Sequence, residues 1–258
     1  MPPFPSDNLI EGMMRCGRYA FMPNYYAYCG PDKNKKLLSY VAAEYYDPDL
    51  NQILSQFEVM HPYLKLIAHS NNIANEFSPE VVEAYWLGNQ LTENVKIKNL
   101  YRHFTENNNL KSKLRKSLVE KVLGLIPSQA KPHHNFHVMN IWARTGAKNI
   151  KHTLKSIDEC RISWGKVKEI KKTKIVVDFQ PLVIKDDKLQ LGEPIDREAI
   201  TYLDDKSFVR NLKIGDIVTI HWGFVCEKIN NEQLKNLRKY TEESLRIFNQ
   251  QIKEFLYA

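Results

Sequence analysis

Cys160 stands directly before Arg161-Ile162-Ser163-Trp164-Gly165-Lys166-Val167, a run whose alternation predicts a first β-strand. Downstream, Gly215-Asp216 opens a second apolar run, Ile217–Val225, that carries His221. A thiolate is a soft ligand for iron and other d-block metals, and a neutral imidazole is the commonest nitrogen ligand. Together the two residues offer half of a metal site. Arg161 and Lys166 are the nearby cations that could lower the thiol pKa. Read singly, each residue has a plainer role, Cys160 as a half-buried cysteine at a strand start and His221 as a hydrogen-bonded strand histidine. Alternation puts His221 on one face with Ile217, Thr219 and Gly223, with Ile220 and Trp222 on the other.

A second cluster, His133, His134 and His137, lies just ahead of the Cys160 run. Histidines three or four apart share a metal if the segment is helical. Pro132 and the run Val138-Met139-Asn140-Ile141-Trp142 instead predict a loop leading into an extended segment, so packing is the favoured role for all three. A tyrosine-rich loop, Tyr25 to Asp32 with Tyr28 and Cys29 inside it, has the composition of a pocket wall or partner-docking loop.

The elements that must position these groups change character at about residue 157. Before it, apolar residues recur at helical spacing between Pro and Gly breaks. Asp7 is placed to cap a helix ending near Phe21-Met22-Pro23, and Asp32 to cap the next. Asp47-Pro48 and Ser78-Pro79-Glu80 are helix starts, each a capping side chain followed by Pro at the first helical position. Leu110, Leu114, Leu118, Val122 and Leu125 form a stripe opposite the basic run Lys111, Lys113, Arg115, Lys116, Lys121. Ala147–Ile157 reads as a short connecting helix.

From Cys160 the period becomes two. Ile162–Ile170 and Ile175–Phe179 are predicted strands around the turn Lys171–Lys174, and Pro181–Ile184 extends the second. Leu189–Leu191, Ile200–Leu203 and Ile217–Val225 follow. Asn231 is placed to cap a final helix. The expected fold is α+β: a mostly helical domain over residues 1–157, then a small OB-type β-barrel with a C-terminal helix over residues 158–258.

Composition narrows the function classes. A hydrophobic fraction of 43% and a charged fraction of 26% are ordinary for a soluble globular chain. No apolar run is long enough to cross a bilayer, and the N-terminal residues lack a secretory pattern, so a cytoplasmic location without membrane association is expected. The four cysteines, Cys16, Cys29, Cys160 and Cys226, form no CxxC pair, which argues against a zinc ribbon or a dithiol redox site. The net charge of +7 is spread over both halves, not gathered on one segment. No phosphate loop, dinucleotide fingerprint or nucleophile elbow is present.

The region from Cys160 to about Asn249 resembles the HypC/HupF family of nickel–iron hydrogenase maturation chaperones. That family opens with a cysteine and has Gly-Lys-Val five residues later; Cys160, Gly165, Lys166 and Val167 keep this spacing. Its later signature is Gly-Asp, then an apolar strand ending His-x-Gly-Phe; Gly215, Asp216, His221, Gly223 and Phe224 match in order. The resemblance implies an OB-type barrel, with Cys160 and His221 transiently holding an iron that carries cyanide and carbonyl ligands. The implied partners are a HypD-like maturation protein and a hydrogenase large subunit. In the family the cysteine is N-terminal, whereas Cys160 is internal. Trp164 replaces a proline, and an insertion spans Asp186–Asp205. The whole chain also resembles a group of uncharacterised prokaryotic proteins with a helical module before this barrel, which implies no activity.

The leading expectation is therefore a non-catalytic accessory or maturation factor for metalloenzyme assembly. The alternative is an OB-type protein that binds single-stranded nucleic acid through Lys166, Lys168, Lys171, Lys172, Lys174, Trp164 and Trp222. An enzyme using His133, His137 or Glu83 ranks third.

Overall fold

The computed structural model describes residues 5–107, 129–143, 153–250 and 252. The stripe from Leu110 to Leu125, its basic run and the start of the Ala147–Ile157 helix lie outside the described residues.

The chain begins with α1 (Asp7–Tyr25), capped by Ser6 and not by Asp7. It continues past the expected stop and takes Pro23 into its last turn. Pro23 lacks the N–H that would bond the Tyr19 carbonyl one turn back. α2 (Asn34–Ala43), α3 (Pro48–Ser55), α4 (Met60–Ser70), α5 (Pro79–Trp86), α6 (Gln90–Asn94) and α7 (Ile97–Arg102) follow, with a π-helical turn over His103–Asn107. Asp47 caps α3 through the Asp49 N–H, and Pro48 and Pro79 open α3 and α5 as expected. The residue flanking α2 is Lys33, not Asp32.

The largest correction falls on the histidine segment. Where an extended run was expected, α8 (His134–Phe136) passes straight into a π-helix (His137–Trp142). His133 caps it by accepting the Asn135 N–H on Nδ1. Pro132 therefore precedes the cap, where it obstructs nothing. The apolar run that mimics a strand is buried on nearly every side, so burial and not alternation explains its composition. α9 (Leu154–Cys160) then leads into the sheet behind a Thr153 capping box.

The strands are β1 (Ser163–Ile170), β2 (Lys174–Phe179), β3 (Leu182–Lys185), β4 (Lys188–Leu191), β5 (Ile195–Ile200), β6 (Ile217–His221) and β7 (Phe224–Ile229). Five close on themselves in the order β1-β2-β5-β7-β6, and β3-β4 form a separate hairpin. Three expectations change. β3 does not extend β2; it pairs with β4. The strand expected at Ile200–Leu203 is β5, which ends where that one was to begin. The run Ile217–Val225 is a hairpin: Trp222 and Gly223 both have positive φ, 51° and 72°, and turn the chain between His221 and Phe224. Two positive-φ residues with Gly second are the pattern of a tight hairpin turn. Gly165 is fixed by β2, since a Cβ there would sit 2.7 Å from the Val177 Cβ. The final helix, α10 (Asn231–Asn249), is capped by Asn230, one residue before the expected cap.

Val167, Ile175, Val177, Phe179, Val218, Ile220 and Val225 fill the inside of the closed sheet. A second apolar core crosses the 157/158 boundary, joining Met13, Tyr19, Phe21 and Trp86 to Ile162, Phe224, Cys226 and Ile229. Burying each large apolar side chain contributes about 1.5–3 kcal/mol, so this shared core holds α1 firmly on the outside of β6 and β7. A polar cluster reinforces it. Arg15 donates to Glu227 and Glu83 at 2.9 Å each, and the Tyr19 hydroxyl donates to Glu227 at 2.6 Å. Burial pulls the guanidinium pKa down, but Glu227 outweighs it and Arg15 stays charged.

Candidate metal centre

The antiparallel pairing of β1 with β6 decides what Cys160 meets. Ser163 lies opposite Ile220, so the chain just before β1 runs alongside the end of β6. Cys160 closes α9 there, and the Trp222 N–H bonds the Glu159 carbonyl at 2.8 Å, tying the hairpin turn to the end of that helix. The two halves of the sequence signature meet at the other end of β1. The Val167 N–H bonds the Asp216 carbonyl and the Gly215 N–H bonds the Val167 carbonyl, both at 2.8 Å. Gly215, with φ 92°, and Asp216, paired with Lys228, build a turn. Gly165 and Val167 pack inward, Lys166 points to solvent, and Phe224 is fully buried against Phe21 and Phe208. These motif residues shape the scaffold and stay away from the thiol.

His221 and Ile220 obey the expected alternation, but Trp222, expected on the Ile220 face, lies in the turn and packs outside the closed sheet against Tyr28. Ile220 points into the closed sheet, while Thr219 and His221 face α1. α8 brings a third group. One ligand atom each of His134, Cys160 and His221 lie within 4.8 Å of one another, and all three residues are buried. The two imidazoles cross nearly at right angles, centroids 5.1 Å apart. Trp86 packs against both rings.

Hydrogen bonds assign the protons. His221 Nδ1 lies 2.7 Å from the Tyr19 carbonyl, which accepts only, so Nδ1 carries the hydrogen. This carbonyl is the one Pro23 leaves without its helical N–H. His221 Nε2 then presents a lone pair; that atom is buried, makes no well-formed hydrogen bond, and lies towards the Cys160 backbone. A backbone carbonyl fixing the far nitrogen of an imidazole is the usual support behind a metal-binding histidine. On His134 the arrangement is reversed. Nε2 donates to the Cys160 carbonyl at 2.9 Å, and Nδ1 accepts from the Tyr85 hydroxyl at 3.2 Å.

Burial keeps the imidazoles neutral. It pushes His221 down to about 4, against the raising influence of the Tyr19 and Cys160 backbone, and moves His134 well below its usual range, with His221 adding to the effect. Burial also raises the Cys160 thiol far above its ordinary value. Neighbouring Cys29 adds to this and the Trp222 indole opposes it. The expected help from cations is missing. Arg161 is spent on Asp158 at 2.8 Å and on the Gln180 carbonyl, and Lys166 is at the surface. Cys160 also sits at the C-terminal end of α9, the negative end of the helix dipole. A bound cation would supply the charge that lets this thiol ionise. One thiolate and neutral imidazoles form a donor set suited to zinc, iron or cobalt.

The other candidates fall elsewhere. His133 stacks on Tyr240, and His137 Nδ1 bonds the Tyr63 hydroxyl at 3.1 Å. Of the Tyr25–Asp32 stretch, Tyr25 ends α1 at the surface and Asp32 is exposed. Tyr28 stacks on Trp222 at 4.3 Å and Cys29 is half-buried, so this part of the loop covers the Cys160 side of the site. Sequence reasoning missed Tyr19, Tyr85 and Pro23. A proline inside an otherwise helical stretch was the one available signal.

The basic strand residues are largely paired: Lys168 with Asp196 at 2.5 Å, Lys171 and Lys174 with Glu198 at 2.8 and 2.9 Å. Among the described residues no helix is long and apolar enough to cross a membrane. No curated protein and no solved structure matches the chain. Residues 8–255 match the family described as "Family of unknown function (DUF6390)", and the chain belongs to that family.

Proposed function

We propose that the protein is a non-catalytic accessory or maturation factor for metalloenzyme assembly that holds a metal centre on Cys160 and His221. The observation that carries this is the buried His221 Nε2, which makes no well-formed hydrogen bond, on a residue whose ligand atom lies within 4.8 Å of that of Cys160. A buried polar atom without a partner costs about 1–3 kcal/mol, and a metal held there would remove that cost. The five closed strands followed by α10 fit an OB-type barrel, which agrees with the HypC/HupF resemblance. On that resemblance the cargo is an iron centre with cyanide and carbonyl ligands, passed between a HypD-like protein and a hydrogenase large subunit. Delivery requires the Tyr28–Trp222 stack to open, because the helical part covers Cys160. Pairing of Lys168, Lys171 and Lys174 with acids gives the nucleic-acid alternative less to stand on.

The test is infrared spectroscopy on full-length protein purified without oxygen from cells expressing hydrogenase-maturation partners. Cyanide and carbonyl stretches are expected in wild type and absent in Cys160→Ala. Their absence in wild type refutes iron carriage, and their persistence in Cys160→Ala refutes the role of the thiol.

A further inference from the structure

His134 is buried with a ligand atom within 4.8 Å of those of Cys160 and His221, yet its protons are arranged the wrong way for coordination. The nitrogen on the Cys160 side, Nε2, carries the hydrogen and donates it to the Cys160 carbonyl. The lone pair is on Nδ1, turned away and bonded by the Tyr85 hydroxyl. A neutral imidazole has two tautomers, and moving the hydrogen from Nε2 to Nδ1, with the Cys160 carbonyl turning out of the line of Nε2, would free Nε2 as a donor. The switch needs an acceptor at Nδ1. A hydroxyl both donates and accepts, so Tyr85 can serve either tautomer by rotating its O–H. Tyr85 is fully buried and packs between Tyr63 and Trp86, which fixes its ring.

We propose that His134 is a third, tautomer-switched ligand of this centre, with the Tyr85 hydroxyl as the group that makes the switch possible. This rests on Cys160 and His221 holding a metal. The ligand class is a divalent d-block cation of borderline softness, bound by one thiolate and two imidazoles. On binding, the Cys160 thiol proton leaves to solvent. The His134 ring keeps its single proton and only relocates it. Three protein donors leave the remaining coordination positions for the other ligands of the carried metal or for a partner's group.

Cobalt(II) added to full-length protein under exclusion of oxygen provides the test. The thiolate-to-cobalt absorption reports the sulfur, and the d–d bands report coordination number. Wild type should show both, with the thiolate band lost in Cys160→Ser. His134→Gln keeps an N–H for the Cys160 carbonyl, so the metal-free fold is retained. It should weaken binding at least 10-fold, and Tyr85→Phe about 10-fold, the usual range for groups supporting a metal ligand. No thiolate band in wild type, or one that survives in Cys160→Ser, overturns the metal centre itself. Binding by His134→Gln within twofold of wild type overturns only the third ligand. Binding by Tyr85→Phe within twofold overturns only the switch. Should either variant misfold, imidazole nitrogen NMR of wild type decides. The His134 hydrogen must move from Nε2 to Nδ1 on zinc addition, and a hydrogen that stays on Nε2 refutes the proposal.

Discussion

Acidification should destabilise this protein from about pH 6.5 downwards. His103, His133, His137 and His221 are all held down by burial, to about 4, 3, 3 and 4. In the unfolded chain a histidine titrates near 6.5. The unfolded state therefore binds protons first, and stability must fall as pH drops from about 6.5 towards 4. The loss is about 1.4 kcal/mol per pH unit per residue. Relative to pH 8, each has lost on the order of 1 kcal/mol at pH 5.5, or roughly 5 kcal/mol for the four together. That is a large part of the roughly 5–15 kcal/mol typical of a folded domain. Glu93 and Glu198, pulled to about 2 by lysine partners and, for Glu93, against burial, lose stability only below about pH 4.5 and lie outside this window. Urea denaturation from pH 8 to 5.5, with chelator to keep metal away, measures the effect. His137→Gln should remove about one proton's worth of the slope. A change below about 1 kcal/mol across this range would refute the view that these rings are buried and neutral.

Three further perturbations test the framework. Arg15→Met strands Glu227 and Glu83 without their cation and should cost about 3–5 kcal/mol in urea melts, with part recovered by adding Glu227→Gln. Gly165→Ala puts a Cβ into Val177 and should cost about 1–3 kcal/mol; a neutral result would mean β1 and β2 are further apart than described. Pro23→Ala restores an N–H that competes for the Tyr19 carbonyl, so His221 should pass from a single Nδ1–H tautomer to a mixture in imidazole nitrogen NMR. An unchanged spectrum would remove Pro23 from the account.

Much of the architecture was legible because it is local. Pro at the first helical position marks α3 and α5, with Asp47 capping α3 while the Ser78 side chain makes no capping hydrogen bond on α5, and period-two runs mark β1, β2 and β6. β5 was misplaced because Ile195–Ile200 turns only Ala199 fully inward, leaving no apolar alternation to read. The His134–Trp142 helix was misread because burial on all sides erases periodicity. Cys160 and His221 could be named from spacing, and His134 was among the candidates. That His134 joins them while His133 and His137 do not is set by how α8 docks, which no local pattern encodes. The covering role of Tyr28 and the carbonyl of Tyr19 are likewise tertiary facts. The expected cation activation of Cys160 failed because Arg161 found Asp158 and the Gln180 carbonyl instead.

The central claim is that Cys160 and His221 bind one metal. X-ray absorption at the metal edge, on protein isolated without oxygen, tests it most directly. One sulfur at about 2.3 Å with nitrogen at about 2.0 Å is predicted for zinc, with the sulfur lost in Cys160→Ser and a nitrogen lost in His221→Ala. A shell of oxygen and nitrogen alone in wild type, or a sulfur that persists in Cys160→Ser, would contradict it.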